Sequence, residues 1–288
     1  MSHKQRVGGL VVRTLYKLYR LFGYKFVYFS LYFVVFYYFL FARNVRESLN
    51  IYYKHLNIKF SNTLYFKHLL HYAITTSDRF ISKSNPELYT IINPDKKLLL
   101  QEIKNGSILL ANHLGGWATA INYFNYSNTK FHIVMNEMMI KSAKEFEDII
   151  EKKNTNSVNI IDLSKGSISS YITIANALLN NESVALMADR AIDPKDNYKI
   201  DFFGEKANFN KNPFVIAYKT KKPIILIFVV YEKLLQYKEL FYKVELDYNL
   251  PVEQAVTEGM EEYVEYLSSI LIQYPTQWFN FYNFWEKK

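Results

Sequence analysis

From about residue 107 onward, the sequence alternates between short runs rich in β-forming residues and amphipathic helical stretches. The predicted strands cover 107–112, 131–135, 158–162, 184–189, 198–203, 224–231 and 241–246. The predicted helices cover 116–126, 138–153, 167–180, 213–220 and 252–274. Such alternation is typical of α/β proteins, in which helices pack on the faces of a sheet. The pattern therefore predicts a mixed, largely parallel sheet flanked by helices, within a single domain at 47–288.

The N-terminal segment has a different character. It is basic, it contains no acidic residue before Glu47, and it includes seventeen almost purely apolar residues between Lys25 and Arg43. A run of this length is at the lower limit for a helix that spans a bilayer. A helix embedded in one leaflet and a helix buried in the protein core are the alternatives. The composition favours a membrane anchor at 1–46, and its basic flank favours a cytoplasmic N-terminus.

Overall composition restricts the chemistry and the partners. The formal net charge of +8 suits an acidic partner such as anionic lipid headgroups, an acidic carrier protein or nucleic acid. The chain contains no cysteine, which excludes disulfides, thiolate catalysis and zinc–thiolate sites. An aromatic content of 17% suits either a protein core or a lipid interface.

The segment ILLANHLGGWA at 108–118 delivers a histidine to the end of a predicted strand. Gly115 and Gly116 follow at once and allow the backbone to approach a ligand closely. His113 is therefore well placed to act as a general base, and a structural role for it is the alternative.

The other histidines have weaker claims to a functional role. His68 and His71 have helical spacing, but no nearby carboxylate completes a set of metal ligands, and no metal site is expected. His132 lies within an apolar strand, which favours a structural role. A second polar cluster, Asp189 and Arg190, ends another predicted strand. An arginine in that position can hold a phosphate or carboxylate through two hydrogen bonds, although a simple surface turn is the alternative.

Four blocks in a fixed order carry a family resemblance. They read HLGGWA at 113–118, ADR at 188–190, FFG at 202–204 with prolines following at 213 and 223, and PTQW at 275–278. In this order they resemble the H-x-G-N-W-E, G-D-R, F-F-G…P…P and P-x-Q-W blocks of the lysophospholipid acyltransferase superfamily. The specific resemblance is to its bacterial lipid A late acyltransferase branch, of the lauroyl and myristoyl type.

The resemblance implies transfer of a fatty acyl group from a thioester to a hydroxyl of a membrane lipid or glycolipid, without a cofactor. The donor would be acyl carrier protein or acyl-CoA, and the acceptor would be a lipid such as a lipid A precursor. His113 would be the general base, and the substrate- and phosphate-binding residues would be Gly115, Gly116, Trp117, Asp189, Arg190 and Gly204. The helix that starts near Gly115 and Gly116 would turn backbone N–H groups and its positive end toward the developing negative charge. The implied location is the bacterial inner membrane, with the catalytic domain on the cytoplasmic face.

Ala118 departs from the family pattern, which has an acidic residue five positions after the histidine. One explanation is an acid from elsewhere in the fold, with Glu137 and Asp189 as candidates. A second is that His113 works unassisted. A third is a catalytically impaired homologue that binds lipid or acyl carrier protein without turnover. Nucleic-acid binding is a more distant alternative, because basic charge alone supports it and no recognised module is present; no nucleic-acid partner is expected.

Overall fold

The central strands of the main sheet are parallel, so their carboxyl ends lie at the same edge of the sheet. The computed structural model describes residues 9–124, 131–135, 158–163, 167–190 and 197–285. A seven-stranded sheet has the order β1-β9-β8-β2-β5-β3-β4. The strands are β1 (Thr90–Ile92), β2 (Ile108–Ala111), β3 (Phe131–Met135), β4 (Val158–Asp162), β5 (Ser183–Met187), β8 (Ile224–Lys233) and β9 (Gln236–Val244). From β8 to β4 all neighbouring strands are parallel, whereas β9 is antiparallel to β8 and parallel to β1.

Helices cover both faces of this sheet. They are α1 (Gly9–Phe41), α2 (Arg43–His55), α3 (Asn62–Ser84), α4 (Lys96–Lys104), α5 (Trp117–Phe124), α6 (Ser167–Leu179), α7 (Asn212–Thr220) and α8 (Val252–Gln273). Successive strand residues point to opposite faces, so Leu110 joins one apolar cluster with Leu267 of α8, whereas Leu109 joins a second cluster with Leu99 of α4. The central strands are consequently buried on both sides, as parallel sheets require.

The mixed, largely parallel α/β sheet with flanking helices is therefore confirmed, and the differences from prediction are local. Strand β1 and the short helix α4 were not predicted. Strand β9 begins earlier than the strand predicted at 241–246. The predicted helix at 138–153 lies outside the described residues. Strand β6 (Asn197–Phe202) leaves the main sheet and pairs with the unpredicted β7 (Glu205–Asn210) as an antiparallel hairpin.

Gly204 lies in the two-residue turn of this hairpin. Phe203 and Gly204 have φ values of 53° and 82°, the left-handed pair that tight hairpin turns demand. The turn geometry accounts for the glycine, since a Cβ at this position would meet open space. Substrate binding by Gly204 stays a prediction.

One side of helix α1 packs against the rest of the protein, and the other side is exposed. It bends at Gly23, where φ is 73° and ψ is 179°. Val27, Leu31 and Val35 are buried, and the hydroxyl of Tyr28 donates to Asp78 of α3 at 2.5 Å. The exposed large apolar side chains of the same helix include Phe22, Phe29, Phe33, Phe36, Tyr37 and Phe41. Among the described helices, the segment Thr14–Phe41 is long and apolar enough to cross a membrane, and only 17% of its most apolar window is buried. This exposure supports membrane association over the alternative of a core helix.

Candidate active site

Parallel pairing of β2 with β5 brings His113 and Asp189 together. The register joins Ala111 to Met187 at the last pair of the ladder, and the same offset places His113 beside Asp189 two residues later. The Nδ1 atom of His113 lies 2.8 Å from Oδ1 of Asp189, and the backbone N–H of His113 donates to Oδ2 at 3.1 Å. Both residues lie at the carboxyl ends of their strands, the edge of an α/β sheet at which ligands usually bind.

Asp189 is an acceptor held by several donors. Its side chain is fully buried, and Oδ2 also lies 3.3 Å from the indole N–H of Trp278 and 3.4 Å from the amide nitrogen of Asn280. Burial alone would raise the pKa of the Asp189 carboxyl. The adjacent imidazole of His113, its hydrogen bonds and the charge of Arg190 outweigh burial and hold that pKa well below its ordinary value. Asp189 is therefore ionised at neutral pH.

The ionised partner determines which tautomer His113 adopts. An ionised carboxylate only accepts hydrogen bonds, so Nδ1 of His113 carries the proton and Nε2 is left with a free lone pair. The His113 side chain is 32% exposed, whereas Asp189 is not exposed at all. An imidazole with a buried orienting carboxylate behind it and an open basic nitrogen in front has the form of a general base.

Ala118 lies half-buried in the first turn of α5. Its methyl group makes no hydrogen bond, and within the described residues Asp189 is the carboxylate that contacts the His113 imidazole. Of the two alternative acids considered from sequence, Asp189 is thus in contact with His113, whereas Glu137 lies outside the described residues.

Gly115 and Gly116 have packing roles that sequence reasoning missed. The N–H of Gly115 donates to the carbonyl of Gln277 at 2.9 Å, and that of Gly116 donates to the carbonyl of Val229 at 2.7 Å. These two N–H groups are therefore engaged by backbone carbonyls, and substrate binding by Gly115 and Gly116 stays a prediction. A Cβ at 115 would overlap the Val229 carbonyl, and one at 116 would overlap the ring of Tyr237, so only glycine fits either position.

Helix α5 begins at Trp117, one residue later than the predicted helix. The N–H groups of Trp117 and Ala118, in its first turn, have no acceptor within the described part of the chain. They belong to the positive end of the helix, where the first N–H groups have no partner within the helix itself. The indole of Trp117 is half-buried, and the guanidinium of Arg79 lies 5.9 Å from its ring centre.

Arg190 holds the C-terminal segment, here defined as residues 275–285. Its Nε donates to Oδ1 of Asn280 at 2.6 Å, its Nη2 donates to the carbonyl of Phe279 at 3.0 Å, and its guanidinium lies 5.2 Å from the ring centre of Tyr282. The surface-turn alternative is excluded by these contacts. Phosphate binding by Arg190 stays a prediction.

The C-terminal segment itself completes the site. Trp278 pairs with Leu114 as an isolated antiparallel bridge, and the N–H of Phe279 donates to the carbonyl of His113 at 2.7 Å. The side-chain amide of Gln277 both accepts from and donates to the backbone of Tyr231, with each bond at 2.8 Å. The PTQW block was recognised in the sequence, but its contact with His113 and Asp189 could not be deduced without the fold.

His68, His71 and His132 are engaged by neighbouring groups. His68 is buried between the hydroxyl of Tyr53 and the carbonyl of Trp278, and burial lowers its pKa to about 3. His71 contacts the hydroxyl of Thr276 at 2.9 Å. His132 lies 2.6 Å from a carboxylate oxygen of Glu182, in agreement with a structural role. In the described ranges, no cluster of three His, Asp or Glu side chains forms a metal site.

A histidine–carboxylate pair at the ends of two adjacent parallel strands is an arrangement typical of enzymes that use a general base, and the exposed apolar helix α1 suggests that this enzyme class is membrane-associated. The family model for bacterial lipid A biosynthesis acyltransferases matches residues 72–287, which is well over half of the 288 residues. The chain therefore belongs to that family, which implies acyltransferase activity. No curated protein sequence matches the chain.

Proposed function

We propose that the protein transfers a fatty acyl group from an acyl carrier protein or acyl-CoA thioester to a hydroxyl of a lipid A-type acceptor. The reaction takes place at the cytoplasmic face of the bacterial inner membrane. The observation that carries the proposal is the contact between His113 and Asp189, at 2.8 Å. This pair supplies an orienting carboxylate even though the usual acidic position holds Ala118.

His113 acts as the general base. Its Nε2 removes the proton from the acceptor hydroxyl while the hydroxyl oxygen attacks the thioester carbonyl. The tetrahedral intermediate collapses with cleavage of the carbon–sulfur bond, and the departing thiolate takes the proton from the imidazolium. The products are an ester and a free thiol. Asp189 keeps Nδ1 protonated and stabilises the imidazolium between these steps.

Two features of this site are suited to negative charge. The N–H groups of Trp117 and Ala118, for which no described residue provides an acceptor, lie four and five residues after His113, at the positive end of α5. They would donate to the oxyanion that forms at the thioester carbonyl. The guanidinium of Arg190, next to Asp189 in the chain, would attract a phosphate of the lipid or of the carrier's prosthetic arm.

The surface supports the same assignment. The exposed aromatic flank of α1 suits a lipid environment, and the net charge of +8 suits both an anionic membrane surface and an acidic carrier. An impaired homologue that binds lipid or carrier without turnover is the second candidate, and Ala118 is the observation that favours it.

Acyl transfer by membranes that contain the protein tests the proposal, with labelled acyl carrier protein or acyl-CoA and a panel of lipid acceptors. We expect transfer that is lost in His113→Ala and retained in His132→Ala, because His132 is paired with Glu182 away from this pair. Binding of carrier and membrane without any transfer would overturn the proposal in favour of the impaired homologue.

A further inference from the structure

One amide side chain lies between Asp189 and Arg190. Asn280 is 3% exposed, and its Oδ1 accepts hydrogen bonds from Nε of Arg190 at 2.6 Å and from Nη2 of the same side chain. Its Nδ2 lies 3.4 Å from Oδ2 of Asp189. The amide thus connects the acid of the proposed pair to the neighbouring cation, although the three residues come from two distant parts of the chain.

Simple chemistry fixes the orientation of this amide. A guanidinium only donates hydrogen bonds, and an ionised carboxylate only accepts them. The oxygen of Asn280 must therefore face Arg190, and the NH₂ group must face Asp189. An aspartate or a leucine of similar shape would fail on at least one side, so the position requires a group that both accepts and donates.

The backbone around Asn280 reaches the other member of the pair. The N–H of Phe279 donates to the carbonyl of His113 at 2.7 Å, and the indole N–H of Trp278 lies 3.3 Å from Oδ2 of Asp189. Three consecutive residues of the C-terminal segment therefore contact His113 or Asp189. Of these three, Asn280 alone also contacts Arg190 through its side chain.

We propose that Asn280 is a positioning residue that fixes the plane of the Asp189 carboxylate against His113 by joining it to Arg190 through one amide. This inference rests on the proposed role of the His113–Asp189 pair in acyl transfer. Asn280 touches neither reactant and acts through Asp189.

The titratable and charged groups around Asp189 come from four elements. They are His113 after β2, Arg190 after β5, Tyr263 of α8 and Tyr282 of the C-terminal segment. The side chains of Asn280 and Trp278, which also contact Asp189, are neutral. Replacing Asn280 with aspartate adds one negative charge with almost no change in shape, and places two carboxylates in one buried site. Two carboxylates in such a site raise the pKa of one of them strongly.

The test compares the Asn280→Asp variant with the wild-type protein by nuclear magnetic resonance, in detergent micelles and with ¹⁵N-labelled histidine. The signal is the hydrogen-bonded Nδ1 proton of His113, which is lost on acidification when Asp189 takes a proton. We expect the pH at which this proton signal disappears to be higher in the variant than in wild type by roughly one unit or more. In acyl transfer, kcat should fall by about tenfold or more.

Asn283→Asp is the matched control. It adds the same charge to the same segment, and its side-chain oxygen can still accept the N–H of Trp285, as Asn283 does at 3.2 Å. Little change is expected in either readout. If Asn280→Asp does not fold, Asn280→Ala can be measured in its place. In that variant we expect a smaller rise in the pH at which the His113 Nδ1 proton signal disappears.

The positioning role would be overturned if the His113 Nδ1 proton signal disappeared at the wild-type pH in the Asn280 variants. It would also be overturned if that pH rose equally in Asn283→Asp. The resonance is measured without turnover, so the two proposals fail separately. A shifted resonance in a protein that transfers no acyl group would support the positioning role and overturn the proposed function.

Discussion

Asp189 lies directly beside His113, with 2.8 Å between Oδ1 and Nδ1, because β2 and β5 pair in parallel at a constant offset of 76 residues. The carboxylate that orients the imidazole thus comes from the neighbouring strand of the sheet. Its contact with Nδ1 gives a physical reason why Ala118 is compatible with an active site.

Restoring the usual acid should therefore change little. In Ala118→Glu, the new carboxylate could reach Nδ1 of His113 only by displacing Asp189, which is already bonded there. We expect the rate of acyl transfer to change by less than about threefold, with the fold intact because a glutamate is favourable in the first turn of a helix. A rise of about a hundredfold or more would show that Asp189 does not fill this role, since loss of the orienting acid of a serine protease triad costs about 10⁴-fold.

The loop glycines should be intolerant of any side chain. In Gly116→Ala the new methyl group would overlap the ring of Tyr237, whose hydroxyl donates to the buried Asp78. We expect the free energy of unfolding to fall by about 1–3 kcal/mol, together with reduced activity. Gly204→Ala is the comparison, because its Cβ would meet open space and only the positive φ is unfavourable, at about 1 kcal/mol. Equal losses in urea-unfolding measurements would contradict the packing argument.

The packing of α1 against α3 should depend on the hydroxyl of Tyr28. Tyr28→Phe removes a donor to Asp78, a buried carboxylate that also accepts from Tyr89 and Tyr237. We expect the free energy of unfolding to fall by about 1.5–3 kcal/mol, the range for hydrogen bonds to charged groups, and proteolysis near the bend at Gly23 to be faster. Tyr32→Phe, on the exposed flank of the same helix, should leave the cleavage rate unchanged. Identical cleavage of both variants would argue against the contact with Asp78.

Stability should respond to pH through Glu239. Burial outweighs the hydrogen bond from Asn93 and raises the pKa of the Glu239 carboxyl from 4.5 to about 7. The folded protein keeps a proton that the unfolded chain releases in that window, so stability falls as the pH rises from 4.5 to about 7. Glu239→Gln should gain roughly 2–3 kcal/mol over wild type at about pH 8, and almost nothing below about pH 4.5. Denaturant unfolding at both pH values measures this, with the exposed Glu258→Gln as control; a gain that does not depend on pH would contradict the account.

The sequence predicted the fold class and most of the strands because short continuous apolar runs mark strands that are buried on both faces of a parallel sheet, and amphipathic helical stretches separate them. It also placed His113 and Asp189 each at a strand end. What it could not supply was the strand order, because pairing between β2 and β5 is a long-range contact that leaves no local pattern. Asp189 was consequently one candidate acid among two.

The same limit hid the packing roles of the loop glycines. The sequence indicated that Gly115 and Gly116 let the backbone approach a ligand closely, and the family resemblance implied that they bind substrate. Their N–H groups are bonded to Gln277 and Val229, which lie more than a hundred residues away in the chain. The role of the C-terminal segment was hidden for the same reason, because Trp278 and Asn280 reach the site only after the whole sheet has formed.

The most direct test of the account is the rate of acyl transfer by Asp189→Asn, measured beside wild type and His113→Ala. An amide in place of the carboxylate removes the charge that stabilises the imidazolium and favours the wrong tautomer of His113. We expect kcat to fall by about 10³–10⁴-fold, as for loss of the orienting aspartate of a serine protease triad, in a protein that still folds and binds membrane. Transfer by Asp189→Asn at close to the wild-type rate would contradict the claim that Asp189 is the acid of this site.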